Sequence, residues 1–202
     1  MAAALALARR GVEVVGVDRN DELDAGRLRD SGVEVVLGAE DPALVDDVDL
    51  LVKSPGIPSE VPLVAAARAR GVAVWSEVEL GSRLLPNPLL GVTGTNGKTT
   101  TCELLGEIFR AAGKPVAVAG NVGRPLTGLD GAVAEDAWIV CELSSFQLED
   151  IDELRPRVAV LLNVTPDHLD RHGDLDAYRA AQLRIFENQA SADVAVVPRG
   201  PA

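Results

Sequence analysis

Aromatic residues make up only 3% of the 202-residue chain: two tryptophans, one tyrosine and three phenylalanines. So few rings leave no base-stacking platform of the kind that single-stranded nucleic acid uses. Positive charge is also scarce. Nineteen lysines and arginines face 31 aspartates and glutamates, for a formal net charge of −12. That balance argues against a nucleic-acid surface, whose affinity rests on phosphate neutralisation, although a locally positive nucleotide pocket remains compatible with it. Only two cysteines are present, Cys102 and Cys141, both inside expected regular elements. They read as buried free thiols rather than a disulfide framework, which suits a reducing cytoplasm. No apolar run is long enough to span a membrane. The apolar residues 1–8 lack a preceding basic region and lead into Arg9-Arg10-Gly11, so they read as a helix end and not as a signal peptide.

What the chain does have is 47% hydrophobic residues, enough for a substantial core. Their pattern alternates. A helix is expected over 2–10, a strand over 12–17, a helix over 23–30, strands over 33–37 and 49–53, a helix over 61–70 and a strand over 72–75. Such alternation predicts an α/β fold with a parallel, doubly wound sheet. A sheet of this kind ordinarily opens with a strand and a glycine turn before its first helix; this chain begins at the helix, so an N-terminal truncation is expected. Residues 83–88, with Pro86, Asn87 and Pro88, read as a linker. A second α/β unit begins at Leu89, with strands expected over 89–92, 116–119, 138–142, 158–163 and 194–197 and a long amphipathic helix over 175–189. Two domains are therefore expected, residues 1–86 and 87–202, each incomplete.

The densest chemistry lies in Gly94-Thr95-Asn96-Gly97-Lys98-Thr99-Thr100. It follows an apolar strand pattern and precedes a helical one, the context that a phosphate-binding P-loop requires. Glycines let successive backbone N–H groups turn toward phosphate oxygens, and the start of the following helix adds to the positive field. Lys98 is placed to neutralise the terminal phosphates and Thr99 to offer a hydroxyl to Mg2+. The usual spacing puts the first glycine where Val92 stands, so the loop is a variant. A glycine-rich helix start with a chance lysine is the plainer reading, and the strand–loop–helix context favours phosphate binding over it.

Glu142 ends an apolar strand, where ligands of open sheets sit, and a carboxylate there can hold Mg2+ or a water on it. His168 and His172, four residues apart, have a spacing that can bind zinc on a helix, but Pro166 and the lack of a zinc-protease glutamate disfavour that. His168 fits better as a polar group beside a metal-bound phosphate, and His172 is expected at the surface. Gly120-Asn121-Val122-Gly123 and Ser54-Pro55-Gly56-Ile57-Pro58 each close a strand as tight loops.

Together these segments resemble the Mur ligases. The resemblance is carried by residues 54–58, GTNGKTT at 94–100, 120–123, ELSSFQL at 142–148, NVTPDHLDRH at 163–172 and YRAAQLRIFEN at 178–188, in the order and spacing of that family over nearly the whole chain. ELSSFQL and the last segment point to the branch that adds D-glutamate to UDP-N-acetylmuramoyl-L-alanine in peptidoglycan synthesis. The resemblance implies an ATP- and Mg2+-dependent enzyme, monomeric and cytoplasmic, with a Rossmann-like UDP-binding domain, a central ATPase domain and a C-terminal amino-acid domain. It implies that residues 94–100 bind ATP, that Lys98, Glu142 and His168 are catalytic, and that Thr99, Glu142 and His168 seat metal. It further implies substrate contacts from Asp18, Arg19, Ser54, Pro55, Gly56, Asn121 and His168. The family carries a carbamylated lysine where this chain has Gln182; glutamine cannot be carbamylated, so weaker metal binding and slower phosphoryl transfer are expected. Chain 1–202 by itself is not expected to ligate D-glutamate. The alternatives are another amide ligase of the superfamily, such as a folylpolyglutamate synthase, and a non-catalytic nucleotide- or UDP-sugar-binding fragment.

Overall fold

A computed structural model describes residues 1–199. The chain divides into two compact units. One comprises residues 1–53 and 57–75, and the other residues 54–56 and 76 onward.

In the first unit, α1 (Ala2–Ala8) leads to β1 (Val15–Asp18), α2 (Gly26–Asp30) and β2 (Glu34–Leu37). These are followed by a 3-10 turn at Pro42–Val45, β3 (Leu50–Lys53), α3 (Pro62–Ala69) and β4 (Ala73–Ser76). β1 and β2 run parallel, with Val15 opposite Glu34. The four strands form two ladders, β1–β2 and β3–β4, rather than one continuous sheet. Leu5, Leu28 and Val33 make a small core. The expected elements are present, most of them shorter. The helix over 23–30 begins only at Gly26, because Asp24 turns the chain first by accepting the Gly26 N–H at 3.0 Å.

The second unit opens with α4 (Glu77–Leu84), a helix that residues 83–88 hide from a sequence reading. Gly81 lies within it. It stands there because the helix packs hard on Leu126: a Cβ at Gly81 would lie 2.6 Å from the Leu126 Cγ. Five parallel strands follow in the order β6-β7-β5-β8-β9, with β5 (Leu89–Thr93) in the middle. The others are β6 (Val116–Gly120), β7 (Trp138–Glu142), β8 (Val158–Leu161) and β9 (Val194–Val196). Every residue of β5 is buried, as expected of a central parallel strand covered on both faces. One apolar cluster contains Val78, Leu126, Leu129, Ile139, Cys141 and Ile185, a second contains Leu90, Val92, Cys102 and Val140, and a third contains Leu161, Val164 and Tyr178. Each fully buried leucine contributes about 1.5–3 kcal/mol.

The helices of this unit are α5 (Lys98–Ala111), α6 (Ser145–Leu148), α7 (Leu169–His172) and α8 (Leu175–Leu183). The helix expected over 175–189 stops at Leu183 and tightens into a 3-10 turn at Arg184–Phe186. There the Arg184 guanidinium donates to the carbonyls of Leu148 and Ile151, both at 2.9 Å, a long-range tie that no local pattern shows. A second tie comes from Glu79, whose fully buried carboxylate accepts the N–H groups of Asp152 (2.9 Å), Glu153 (3.1 Å) and Leu154 (2.8 Å) and the Arg83 Nε (2.6 Å). Among the described residues no helix is long and apolar enough to cross a membrane.

Candidate nucleotide site

The loop after β5 turns into α5 through Gly97, the helix N-cap, at φ 88°. This left-handed conformation suits glycine and leaves the first N–H groups of a 14-residue helix unblocked. Lys98 curls over the loop, its Nζ donating to the carbonyls of Gly94 (2.7 Å) and Thr95 (3.0 Å). A cation is thereby held within the backbone cradle. Asn163, just past β8, clamps the loop from the side. Its carbonyl accepts the Thr95 N–H at 3.0 Å, its Oδ1 accepts the Asn96 N–H at 3.0 Å, and its Nδ2 donates to the Asn96 carbonyl at 3.0 Å. Sequence reasoning gives Asn163 no such role; its place at a strand end beside the loop's strand is the signal that could have found it.

At the end of the neighbouring strand β7, the Glu142 side chain is buried and accepts the Thr99 hydroxyl on Oε2 at 2.8 Å. Its Oε1 accepts from the Asn121 Nδ2 at 3.3 Å, and its backbone carbonyl accepts the Asn121 N–H at 2.9 Å. Gly120 makes that approach possible: at φ 117°, a Cβ there would sit 2.2 Å from the Glu142 carbonyl oxygen. The structure thus brings together Thr99, Glu142 and Asn121, from three separate segments. A hydroxyl and a carboxylate are hard oxygen donors. Mg2+ characteristically takes one or two such protein ligands and completes its octahedron with phosphate and water, so the pair fits that ion.

His168 belongs to a different grouping. It adopts a left-handed φ of 51° as the N-cap of α7. Its half-exposed ring lies 3.6 Å from the Asp167 carboxylate and 5.0 Å, centroid to centroid, from Phe146. Among the described residues no three His, Cys, Asp or Glu side chains cluster as a metal site. His172, expected at the surface, is instead the buried member of the pair. Its ring is 3% exposed, stacks on Phe146 at 5.3 Å, and lies 3.0 Å from the Ser145 Oγ and 3.2 Å from the Glu149 carboxylate. Burial holds its pKa below the usual histidine value, with Glu149 working in the opposite direction. Apolar packing on Phe146, invisible in the spacing of two histidines, decides this.

Gln182 lies on α8 and is 1% exposed. Both ends of its amide are engaged: Oε1 accepts from the Thr93 hydroxyl, and Nε2 donates to the Tyr178 hydroxyl at 2.9 Å. In the first unit, Asp18 closes β1 and accepts the Asn20 N–H at 2.9 Å, while the exposed Arg19 pairs with Glu40 at 3.5 Å. Ser54, Pro55 and Gly56 form the turn after β3.

A backbone loop closed by lysine, pinned by asparagine and flanked by a hydroxyl–carboxylate pair thus lies at the strand ends of a parallel α/β sheet, where such folds take their ligands. Comparison with known proteins makes the class specific. The model of the Mur ligase middle domain matches residues 92–201, and that of the Mur ligase family, catalytic domain, matches residues 1–85. The chain belongs to the Mur ligase family. It is 48% identical over 203 residues to the UDP-N-acetylmuramoylalanine--D-glutamate ligase of Trichlorobacter lovleyi, a match covering 98% of this chain and 46% of that protein. To the protein of the same name from Geobacter metallireducens it is 49% identical over 201 residues, covering 98% of this chain and 44% of that one. The chain spans about half the length of the curated relatives it matches. Among solved structures, the UDP-N-acetylmuramate:L-alanyl-gamma-D-glutamyl-meso-diaminopimelate ligase from Neisseria meningitides superposes with a TM-score of 0.60 at 25% identity, over 98% of this chain and 67% of that one. The UDP-N-acetylmuramate-alanine ligase MurC from Thermotoga maritima, at TM-score 0.56 and 24% identity, covers 97% and 45% and shares the fold.

Proposed function

We propose that this chain serves an ATP-dependent carbon–nitrogen ligase reaction joining D-glutamate to UDP-N-acetylmuramoyl-L-alanine, in the cytoplasm and as a monomer. Residues 1–86 would take the UDP substrate and residues 87–202 ATP. The observation that carries the reading is the Thr99–Glu142 contact at 2.8 Å beside the Lys98-closed loop. The substrates are proposed from the name shared by the relatives that match almost the whole chain.

The chemistry suits such a site. A carboxylate resists amines because it is anionic and its oxygen is a poor leaving group. The γ-phosphoryl group of ATP passes to a carboxylate oxygen of the UDP-linked substrate, giving an acyl phosphate and ADP. The D-glutamate amine then attacks the acyl carbon, and phosphate departs. The protein's task is positioning and charge neutralisation. The loop N–H groups and Lys98 hold the phosphates. Thr99 and Glu142 would hold Mg2+, which supplies further neutralisation of phosphate charge when bound. Asn121 orients Glu142 through both its amide and its backbone, and would reach the sugar substrate on its other side. His168 would act beside the transferred phosphoryl group. Asp18, Arg19 and the turn at residues 54–56 would meet the UDP substrate.

A second reading, binding without turnover, draws on the neutral Gln182 and on the lack of a three-residue metal cluster among the described residues. Calorimetry on the 202-residue chain tests the first step common to both. Mg·ATP is expected to bind, UDP-N-acetylmuramoyl-L-alanine to bind and folate not to. Failure of the parent chain to bind Mg·ATP at millimolar concentration would remove the nucleotide reading. ADP release in the presence of both substrates would decide for turnover.

A further inference from the structure

Four buried polar side chains join α8 to the phosphate-binding loop. Thr93, at the end of β5, is fully buried; Gln182 and Tyr178 are each 1% exposed, and Thr95 is 8% exposed. The Thr93 hydroxyl donates to Gln182 Oε1 and toward the Leu143 carbonyl at 2.8 Å. Gln182 Nε2 donates to the Tyr178 hydroxyl at 2.9 Å, and Tyr178 meets the Thr95 Oγ1 at 3.1 Å. Thr95 Oγ1 in turn accepts the Thr165 N–H at 3.0 Å and donates to the Thr165 carbonyl at 3.1 Å. Proton counting gives this chain a direction. The Thr95 proton goes to Thr165, so the Tyr178–Thr95 bond runs from the phenol, and the phenol receives its own bond from the glutamine. The one Thr93 proton is shared between Gln182 Oε1 and the Leu143 carbonyl, and each of the other side chains along the path has a partner. Buried hydrogen-bond networks rigidify what they join, and this one begins on the residue before the loop and ends on its second residue.

We infer that Gln182 is a positioning residue: through Tyr178 and the two threonines it holds the phosphate-binding loop in its shape from α8. The consequence for binding rests on the nucleotide reading above; the consequence for the loop does not. A neutral amide is suited to this place because it both accepts from Thr93 and donates to Tyr178, which a hydrocarbon of the same size cannot do.

The test uses the full chain, with Gln182→Met to keep volume and remove both bonds, and Tyr178→Phe to cut the middle of the path with little change in shape. Hydrogen exchange of the Thr95 and Asn96 amides, both bonded to Asn163, is compared with that of the Val140 amide in β7, at a temperature well below either variant's melting. Each variant is expected to speed loop exchange about tenfold, the order set by losing one or two buried hydrogen bonds, with Val140 unchanged. Mg·ADP affinity is expected to fall about tenfold in each. The double variant is expected to be no worse than either single one, because both cut one path. A lower melting temperature with loop exchange tracking Val140, or additive losses, would overturn the inference. If the parent chain takes up no ADP while both variants free the loop amides, the nucleotide reading falls and the relay stands. If ADP binds all three equally and the amides do not move, the relay falls and the nucleotide reading stands.

Discussion

Replacing Gly120 by alanine isolates the closest backbone approach in the site. The new Cβ would lie 2.2 Å from the Glu142 carbonyl oxygen and 2.8 Å from its nitrogen, about 1.2 Å inside the 3.4 Å at which ordinary contact begins. Neither atom is the free end of a side chain, so β6 and β7 must part where Gly120 stands opposite Glu142. Holding alanine at φ 117° costs about 1–3 kcal/mol. The forced separation adds about 1–3 kcal/mol of overpacking, and the lost Asn121 N–H bond to Glu142 adds about 1 kcal/mol. The expected destabilisation is therefore about 3–7 kcal/mol, and at about 2–4 °C per kcal/mol for a chain of this size it lowers the melting temperature by roughly 6 °C or more. Gly131→Ala is the control: its φ is 69° and nothing lies within 4 Å of its Cβ, so only the backbone term applies. Calorimetric unfolding measures both, and Mg·ADP titration at low temperature asks whether the folded Gly120→Ala chain has also lost its carboxylate placement, with at least tenfold weaker binding expected. Equal melting temperatures for the two variants would refute the close-approach argument, and unchanged affinity would detach Glu142 from the metal.

Other outcomes follow from the same geometry. Lys98→Ala is expected to weaken ATP binding at least a hundredfold, by calorimetry, while leaving the fold intact by circular dichroism, because only the loop carbonyls of Gly94 and Thr95 lose a partner. Glu79→Gln keeps the shape but turns an NH2 group toward two of the donors that the carboxylate accepts, so a loss of about 2–4 kcal/mol in denaturant unfolding is expected; a loss below 1 kcal/mol would mean that the clasp is incidental. Asp193 has its pKa held below the usual carboxylate value, first by the Arg155 hydrogen bond and then by the Ala190 N–H. Its contribution to stability is present above the unfolded carboxylate pKa near 3.9 and is lost as pH falls through the lowered folded value. Asp193→Asn should flatten the acid end of a melting-temperature profile between about pH 2 and 5; an unchanged profile would contradict this.

Much of the second unit was legible because its signals are local. A run of five buried residues, a glycine loop and a helical repeat occur in sequence, and β5, the loop and α5 follow directly from them. Glu142 at a strand end was legible for the same reason. The rest was hidden in tertiary contacts. The linker read over 83–88 conceals a helix whose Gly81 is the flat face on which Leu126 rests. Arg184 reads as one more helical residue but ends the helix by donating to distant carbonyls. His172 reads as a surface residue until Phe146 is placed beside it. Gln182 reads as a departure from the lysine that the resemblance implies, and only the positions of Thr93 and Tyr178 reveal what its amide does.

Both cysteines lie in the second unit, in two different apolar clusters, and the first unit has none. Burial pushes the Cys102 thiol up to about 12 and the Cys141 thiol well above its ordinary value, so near neutral pH neither is a thiolate while the core is closed. A chromogenic thiol reagent therefore reacts only with molecules whose second unit has opened. The unmutated chain carries its own clock for that event, read as the rate of colour formation, and a ligand that slows the clock reports its binding to this half of the molecule.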